Sequence, residues 1–269
     1  MTAITGIDCH AHVFKRGLKM AEGRRYAPDY DATIVDYLAM LEGNGMSHGV
    51  LIQPSFLGTD NGYMLEALRQ APERLRGIAV VDPGISDVEL GELDADGCVG
   101  VRLNLIGAPE PDFAAAAWRR HLARIVGLRW QVEVQAEAAR LPSLLPGLLD
   151  AGAMVVVDHF GRPAGVDDPG LRYLLDVAKT RDVWVKLSAP YRVDGGGALL
   201  SAVVPMLLGA FGVDRLMWGS DWPHTQHETV ANPAAVRAAA LDPWLPDTAA
   251  RHAVLVDTPA QLFRFVDAA

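Results

Sequence analysis

Cysteine is nearly absent from this sequence: Cys9 and Cys98 are the only two in 269 residues. Both lie in apolar, strand-like runs and read as reduced core residues, so a disulfide-stapled scaffold is excluded. An excess of positive charge is absent too. Lys and Arg number 24 against 33 Asp and Glu, a formal charge of −9. Without a basic block or stripe, nucleic acid and anionic membrane surfaces drop out as partners. No apolar run reaches membrane-spanning length and no signal segment precedes the first strand-like run, which predicts a cytoplasmic protein. A glycine-rich phosphate loop after that first run is missing, which weighs against an open doubly wound sheet. Nothing in the sequence sets an oligomeric state.

What is present is alternation. Short β-branched runs ("ITGIDCHAHVF", "HGVLIQPSF", "RGIAVVDP", "CVGVRLNLIG", "WQVEVQAE", "AMVVVDHFG", "VWVKLSAPY", "RLMWGSDWPH") are separated by stretches with helical spacing, such as "ATIVDYLAMLEGNG" and "ALLSAVVPMLLGAFG". A last helix, "PAQLFRFV", closes the chain. Eight βα units in a chain of this length predict an α/β fold: a single (β/α)8 TIM barrel domain spanning residues 1–269.

In such a barrel the chemistry collects at the C-terminal ends of the strands. The first strand offers His10 and His12, two apart and so on one face, with Asp8 at the same parity to orient an imidazole. The second ends in Gln53 and Ser55, and the fourth carries Arg102 and Asn104. The fifth alternates Gln131, Glu133, Gln135 and Glu137 with apolar residues, which predicts a polar lumen. The sixth ends in His159 and Arg162, and the seventh offers Lys186, Ser188, Tyr191 and Arg192. The eighth runs into Asp221 and His224. Each residue has a bland reading: a lone strand histidine is more often structural, and Asp221 could cap a helix. Arg102 could serve a buried ion pair, Trp218 and Trp222 read as packing, and His227 and Glu228 as a solvated loop. Convergence outweighs these readings, because polar groups recur at the ends of strands one, four, six, seven and eight.

In order along the chain, "DCHAHVF", "QPSFLGTDN", "GVRLNL", "DHFGRP", "KLSAPYR" and "WGSDWPH" resemble the amidohydrolase superfamily. Within it they resemble the amidohydrolase-2 branch and its 2-pyrone-4,6-dicarboxylate hydrolase-like lactonases. The resemblance implies that Asp221 activates water and that His10, His12 and His159 polarise the carbonyl under attack. It implies substrate-binding roles for Arg102, Arg162, Arg192 and Tyr191, to which Ser55 and His224 are added as neighbours. Metal-dependent members carry a bridging lysine or glutamate on the fourth strand and a histidine on the fifth. Arg102 and Gln135 stand on those strands here, so no binuclear centre is expected. No metal is the favoured reading; a single zinc, if bound, would use His10, His12, His159 and Asp221.

The expected function is hydrolysis of a small carboxylated lactone, with arginines holding the carboxylate through forked hydrogen bonds. The alternatives are a mononuclear-zinc decarboxylase or hydratase of the same branch, a sugar-acid lactonase, and a non-catalytic dicarboxylate-binding protein.

Overall fold

The computed structural model describes residues 3–179, 182–229, 241, 244–245 and 247–265. Eight strands stand side by side in chain order: β1 (Ile7–Ala11), β2 (His48–Ile52), β3 (Leu75–Ala79), β4 (Cys98–Asn104), β5 (Gln131–Gln135), β6 (Met154–Val157), β7 (Val183–Ser188) and β8 (Leu216–Gly219). Every neighbouring pair from β1–β2 to β7–β8 is parallel. The ring closes just beyond β8, where Asp221 N donates to His10 O at 2.7 Å and His12 N to Trp222 O at 2.8 Å. The TIM-barrel expectation holds. Among the described residues no helix is long and apolar enough to cross a membrane.

The strands are buried on both faces, which is why runs such as "MVVV" in β6 lack alternation. Seven helices follow the first seven strands: α1 (Ile34–Gly43), α2 (Gly62–Gln70), α3 (Asp87–Ala95), α4 (Ala116–Gly127), α5 (Leu141–Asp150), α6 (Pro169–Val177) and α7 (Gly196–Phe211). Thr33 with Asp36 and Ser86 with Glu89 form capping boxes that start α1 and α3. In α5, Leu141, Leu144, Leu145 and Leu148 turn inward at helical spacing. Cys9 and Cys98 are buried and unbridged, as expected.

The lumen has two storeys. Ile7, Cys9, Val50, Ile52, Ile78, Val99, Val156 and Met217 fill the lower one, plugged from below by Phe263. The upper one is polar. The change falls in β1, where Asp8 pairs with Gly49 but Ala11 with Leu51, so β1 carries one extra residue. That bulge shifts the facing side chains by one position. Ile7 and Cys9 face the plug, whereas His10 and His12 face the site. Asp8 is thereby turned away from the imidazoles, contrary to the simple parity argument. It accepts from Tyr37 of α1 at 3.2 Å and from Ser220 Oγ at 2.6 Å. Gly49 makes room for Tyr37, since a Cβ there would meet the phenol oxygen at 2.1 Å.

Candidate active site

The upper storey rests on a layer of buried charge. Lys186 of β7 reaches Glu133 of β5 at 2.6 Å and Asp158, just past β6, at 3.5 Å. Asp158 in turn lies 3.3 Å from His10 Nδ1 and 3.6 Å from Arg102 Nη2. Arg102 also donates to Gln135 at 2.6 Å. Inward-facing Glu133 and Gln135 bear out the polar face of β5, while Glu137 leaves it for an exchange with Arg140. Asp158 was not singled out from the sequence, although it stands inside "DHFGRP". An aspartate at a strand end is common, and only the placement of Lys186 and Arg102 gives it a role.

Asp221 sits above this layer. Its Oδ2 accepts from Arg192 Nε at 2.7 Å and Tyr191 at 2.8 Å. Its Oδ1 is buried and has no hydrogen-bond partner. His10 Nε2 and His12 Nε2 each lie 3.6 Å from that oxygen. Among the described residues no backbone N–H uses the Asp221 side chain, so the helix-cap reading finds no support. Burial alone would raise the carboxyl, but the Arg192 guanidinium holds it well below the usual carboxylate range. Asp221 is therefore ionised at neutral pH.

The histidines are neutral. Burial drives His10 well below its ordinary value against the pull of Asp158. Burial likewise lowers His12, and pushes His159 down to about 4. His12 Nδ1 lies 2.8 Å from the Ile52 carbonyl, so that nitrogen carries the proton and Nε2 offers its lone pair toward Asp221. His159 Nδ1 pairs with Ser188 at 2.8 Å, leaving Nε2 buried and unpartnered.

This donor set fits one divalent ion. His10, His12 and Asp221 present ligand atoms within 4.8 Å of one another. An acceptor-only carboxylate oxygen faces an imidazole lone pair, and His10 and His12 are braced from behind by Asp158 and the Ile52 carbonyl. His159 groups instead with His10 and Asp158. Of the four residues that a single zinc would use, His10, His12 and Asp221 form one such group, and His159 forms another with His10 and Asp158.

The remaining sequence candidates gather at the same mouth. Ser55, Arg102, His159, Arg162, Arg192 and Asp221 line one cavity with Asn104 and Gln135. His224 stands behind it, with Nδ1 3.0 Å from the Tyr191 oxygen. Four lining residues escaped the sequence reading: Thr225 and Gln226 beyond β8, and Arg25 and Tyr26 from the loop between β1 and α1. That loop is polar and without periodicity, so no pattern marks them. The backbone beneath the site is unusual. His159, Phe160, Arg162, Ala189, Asp221 and His224 all have φ between 48° and 66°, a left-handed region that side-chain-bearing residues seldom occupy.

Fold and site together define a barrel hydrolase in which a first-strand histidine pair faces an aspartate from the eighth strand's end. The chain belongs to the amidohydrolase family, whose model matches residues 7–265. It is 35% identical over 271 residues to a 4-sulfomuconolactone hydrolase of Rhizobium radiobacter, covering 95% of this chain and 89% of that protein. It is 32% identical over 275 residues to a 2-pyrone-4,6-dicarboxylate hydrolase of Comamonas testosteroni, covering 96% and 89%. Among solved structures, a probable 2-pyrone-4,6-dicarboxylic acid hydrolase of Acinetobacter baumannii with citric acid bound superposes with a TM-score of 0.92. That protein is 38% identical, and the match covers 96% of this chain and 99% of it.

Proposed function

We propose that the protein opens a small carboxylated lactone, with Asp221 as the general base. The carrying observation is the asymmetry of Asp221: Oδ2 is tied to Arg192 and Tyr191, while Oδ1 is unpartnered and faces the imidazoles. A water beside Oδ1 gives up a proton as its oxygen attacks the ring carbonyl. Arg192 and Tyr191 keep the carboxylate ionised and aimed. His159 Nε2 is placed to donate to the carbonyl oxygen, where negative charge develops, while His10 and His12, with Nδ1 turned to Asp158 and the Ile52 carbonyl, present lone pairs beside it. Arg102 and Arg162 face the substrate carboxylate; Ser55 lines the wall beside them. Arg192 has committed Nε to Asp221 and Nη2 to the Thr225 carbonyl, so Nη1 is what it has left for substrate. His224 acts through Tyr191. A divalent ion held by His10, His12 and Asp221 would supply Lewis-acid polarisation of the carbonyl. The lactone substrates in the names of the relatives support this reading, as does the number of arginines at the mouth.

The test is Asp221→Asn assayed on 2-pyrone-4,6-dicarboxylate, muconolactones and aldonolactones. Asn keeps the shape but cannot accept water's proton, so kcat should fall at least about a hundredfold with KM little changed. A folded Asn variant with near-normal turnover removes Asp221 as the base. Release of carbon dioxide instead of ring-opened acid points to a decarboxylase.

A further inference from the structure

The cavity that holds His12, His159 and Asp221 is closed over. Its volume is about 40 Å³, room for roughly two or three waters, whereas ligand pockets start at about 300 Å³. A carboxylated lactone does not fit until something moves. The floor lacks that freedom, because it is built of strand ends and buried ion pairs. The cover comes from two sides: Arg25 and Tyr26 of the loop between β1 and α1, and Thr225 and Gln226 beyond β8.

The loop is clamped at its base and lightly tied at its tip. At the base, Phe14 and Ala32 exchange two backbone hydrogen bonds at 2.8 and 2.9 Å, and the Arg16 guanidinium meets Asp31 at 3.2 Å. Tyr30 adds a hydrogen bond to Glu228 at 2.8 Å and an edge-on ring contact with Phe14 at 5.3 Å. Just inside this clamp stands Gly17, with φ 83° and open space where a Cβ would be. The limb can pivot there. Among the described residues, two hydrogen bonds hold residues 17–27 to the rest of the protein. Ala21 N donates to the Phe56 carbonyl at 2.8 Å, and Tyr26 OH and Thr225 Oγ1 share one bond at 3.2 Å. The Tyr26 ring also packs edge-on against Phe56 at 5.3 Å. The Tyr26–Thr225 bond joins the two halves of the cover.

We propose that residues 17–27 are a gate, which swings off the barrel mouth to admit substrate and release product, with the Tyr26–Thr225 hydrogen bond as its latch. The gate rests on the lactonase reading for what passes through it. One hydroxyl pair contributes little net stability, so opening is easy, and the closed form keeps bulk water from Asp221.

Two measurements that need no turnover test this. Lys19, Arg24 and Arg25 are exposed trypsin sites, but trypsin must draw the chain out extended, so cleavage there follows release of the loop. Tyr26→Phe keeps the ring on Phe56 and removes the hydroxyl. Thr225→Val removes the other hydroxyl and leaves the Thr225 carbonyl to Arg192. Each should speed cleavage about two- to tenfold, as loss of one hydrogen bond does, and the double variant should be no faster than the faster single one. Thermal melting checks that the barrel stays folded. Unchanged cleavage in both single variants, or additive effects in the double, overturns the latch. The second measurement is stopped-flow uptake of citrate, which is too large for the closed cavity, followed by tryptophan fluorescence. In the wild type the rate should level off with citrate concentration at the opening rate, and both single variants should raise that plateau. A wild-type rate that climbs linearly without levelling overturns the gate. Lactone hydrolysis is measured separately: its absence in the wild type overturns the lactonase reading, while the cleavage and uptake rates still decide the gate.

Discussion

Lys186 shows how much of the site lies beneath the reacting atoms. A lysine with no exposure, set among Glu133, Asp158 and His10, braces the first-strand histidine that faces Asp221. Taking it out of water is costly, and the layer is stable only because each charge is met. Burial pushes the Glu133 carboxyl up, against the pull of Lys186. Lys186→Met should therefore destabilise the protein by about 3–5 kcal/mol, since it strands the buried Glu133 and leaves Asp158 to Arg102 alone. Lys186→Met combined with Glu133→Leu should recover a large part of that loss. Urea unfolding of the three proteins tests this, and a cost below about 1 kcal/mol for the single variant would show that the pair contributes little.

The junction of β8 with β1 sets the distance on which the site depends. Asp221 reaches the two imidazoles only because the strands meet closely, and Gly219 permits the approach. A Cβ at that position would stand 2.6 Å from His10 Cβ and 2.8 Å from His10 N. Gly219→Ala must push β1 outward, which should lower stability by about 1–3 kcal/mol, as overpacking does. Because the shift falls on His10 itself, kcat should drop by more than the thermal midpoint suggests. The measurement is kcat at a temperature well below the midpoint. An Ala variant with intact turnover would mean that the imidazole position tolerates such a displacement.

At the scale of the whole molecule, burial keeps several histidines neutral. His121 of α4 is an example outside the site: burial, with Arg124 beside it, brings it down to about 4 from 6.5. The unfolded chain then binds more protons between those values, so stability is full above 6.5 and is lost as the pH falls toward 4. Asp8, raised to about 6 by burial, works in the opposite sense over part of that range. The informative quantity is therefore a difference. His121→Gln should lose less stability than the wild type between pH 6.5 and 4, by up to about 1.4 kcal/mol per pH unit. Parallel slopes in urea titrations would refute it. Much of this molecule is legible in its sequence, because eight β-branched runs and polar strand ends are periodic, local signals. That covers the barrel and the gathering of His10, His12, Arg102, His159 and Asp221 around one mouth. The sequence reading did not extend to the facing of Asp8, which a bulge reverses, or to Asp158, whose partners come from β1, β4 and β7. Arg25 was equally hidden, since a loop's crossing of a barrel mouth is set by tertiary ties such as Tyr26 to Thr225.

The extra residue in β1 makes that strand a hinge between two solvents. Below it the strand contributes to an oil-like plug; above it, the same strand furnishes imidazoles to an aqueous chamber. The division of the barrel into a dry foundation and a reactive chamber therefore hangs on strand register at one point, as well as on residue type. Without that bulge the alternation set by Ile7 and Cys9 would run on to Ala11, which would then face Asp221 while both histidines turned into the packing between strand and helix. The histidine pair can thus be turned away from Asp221 without substituting either histidine.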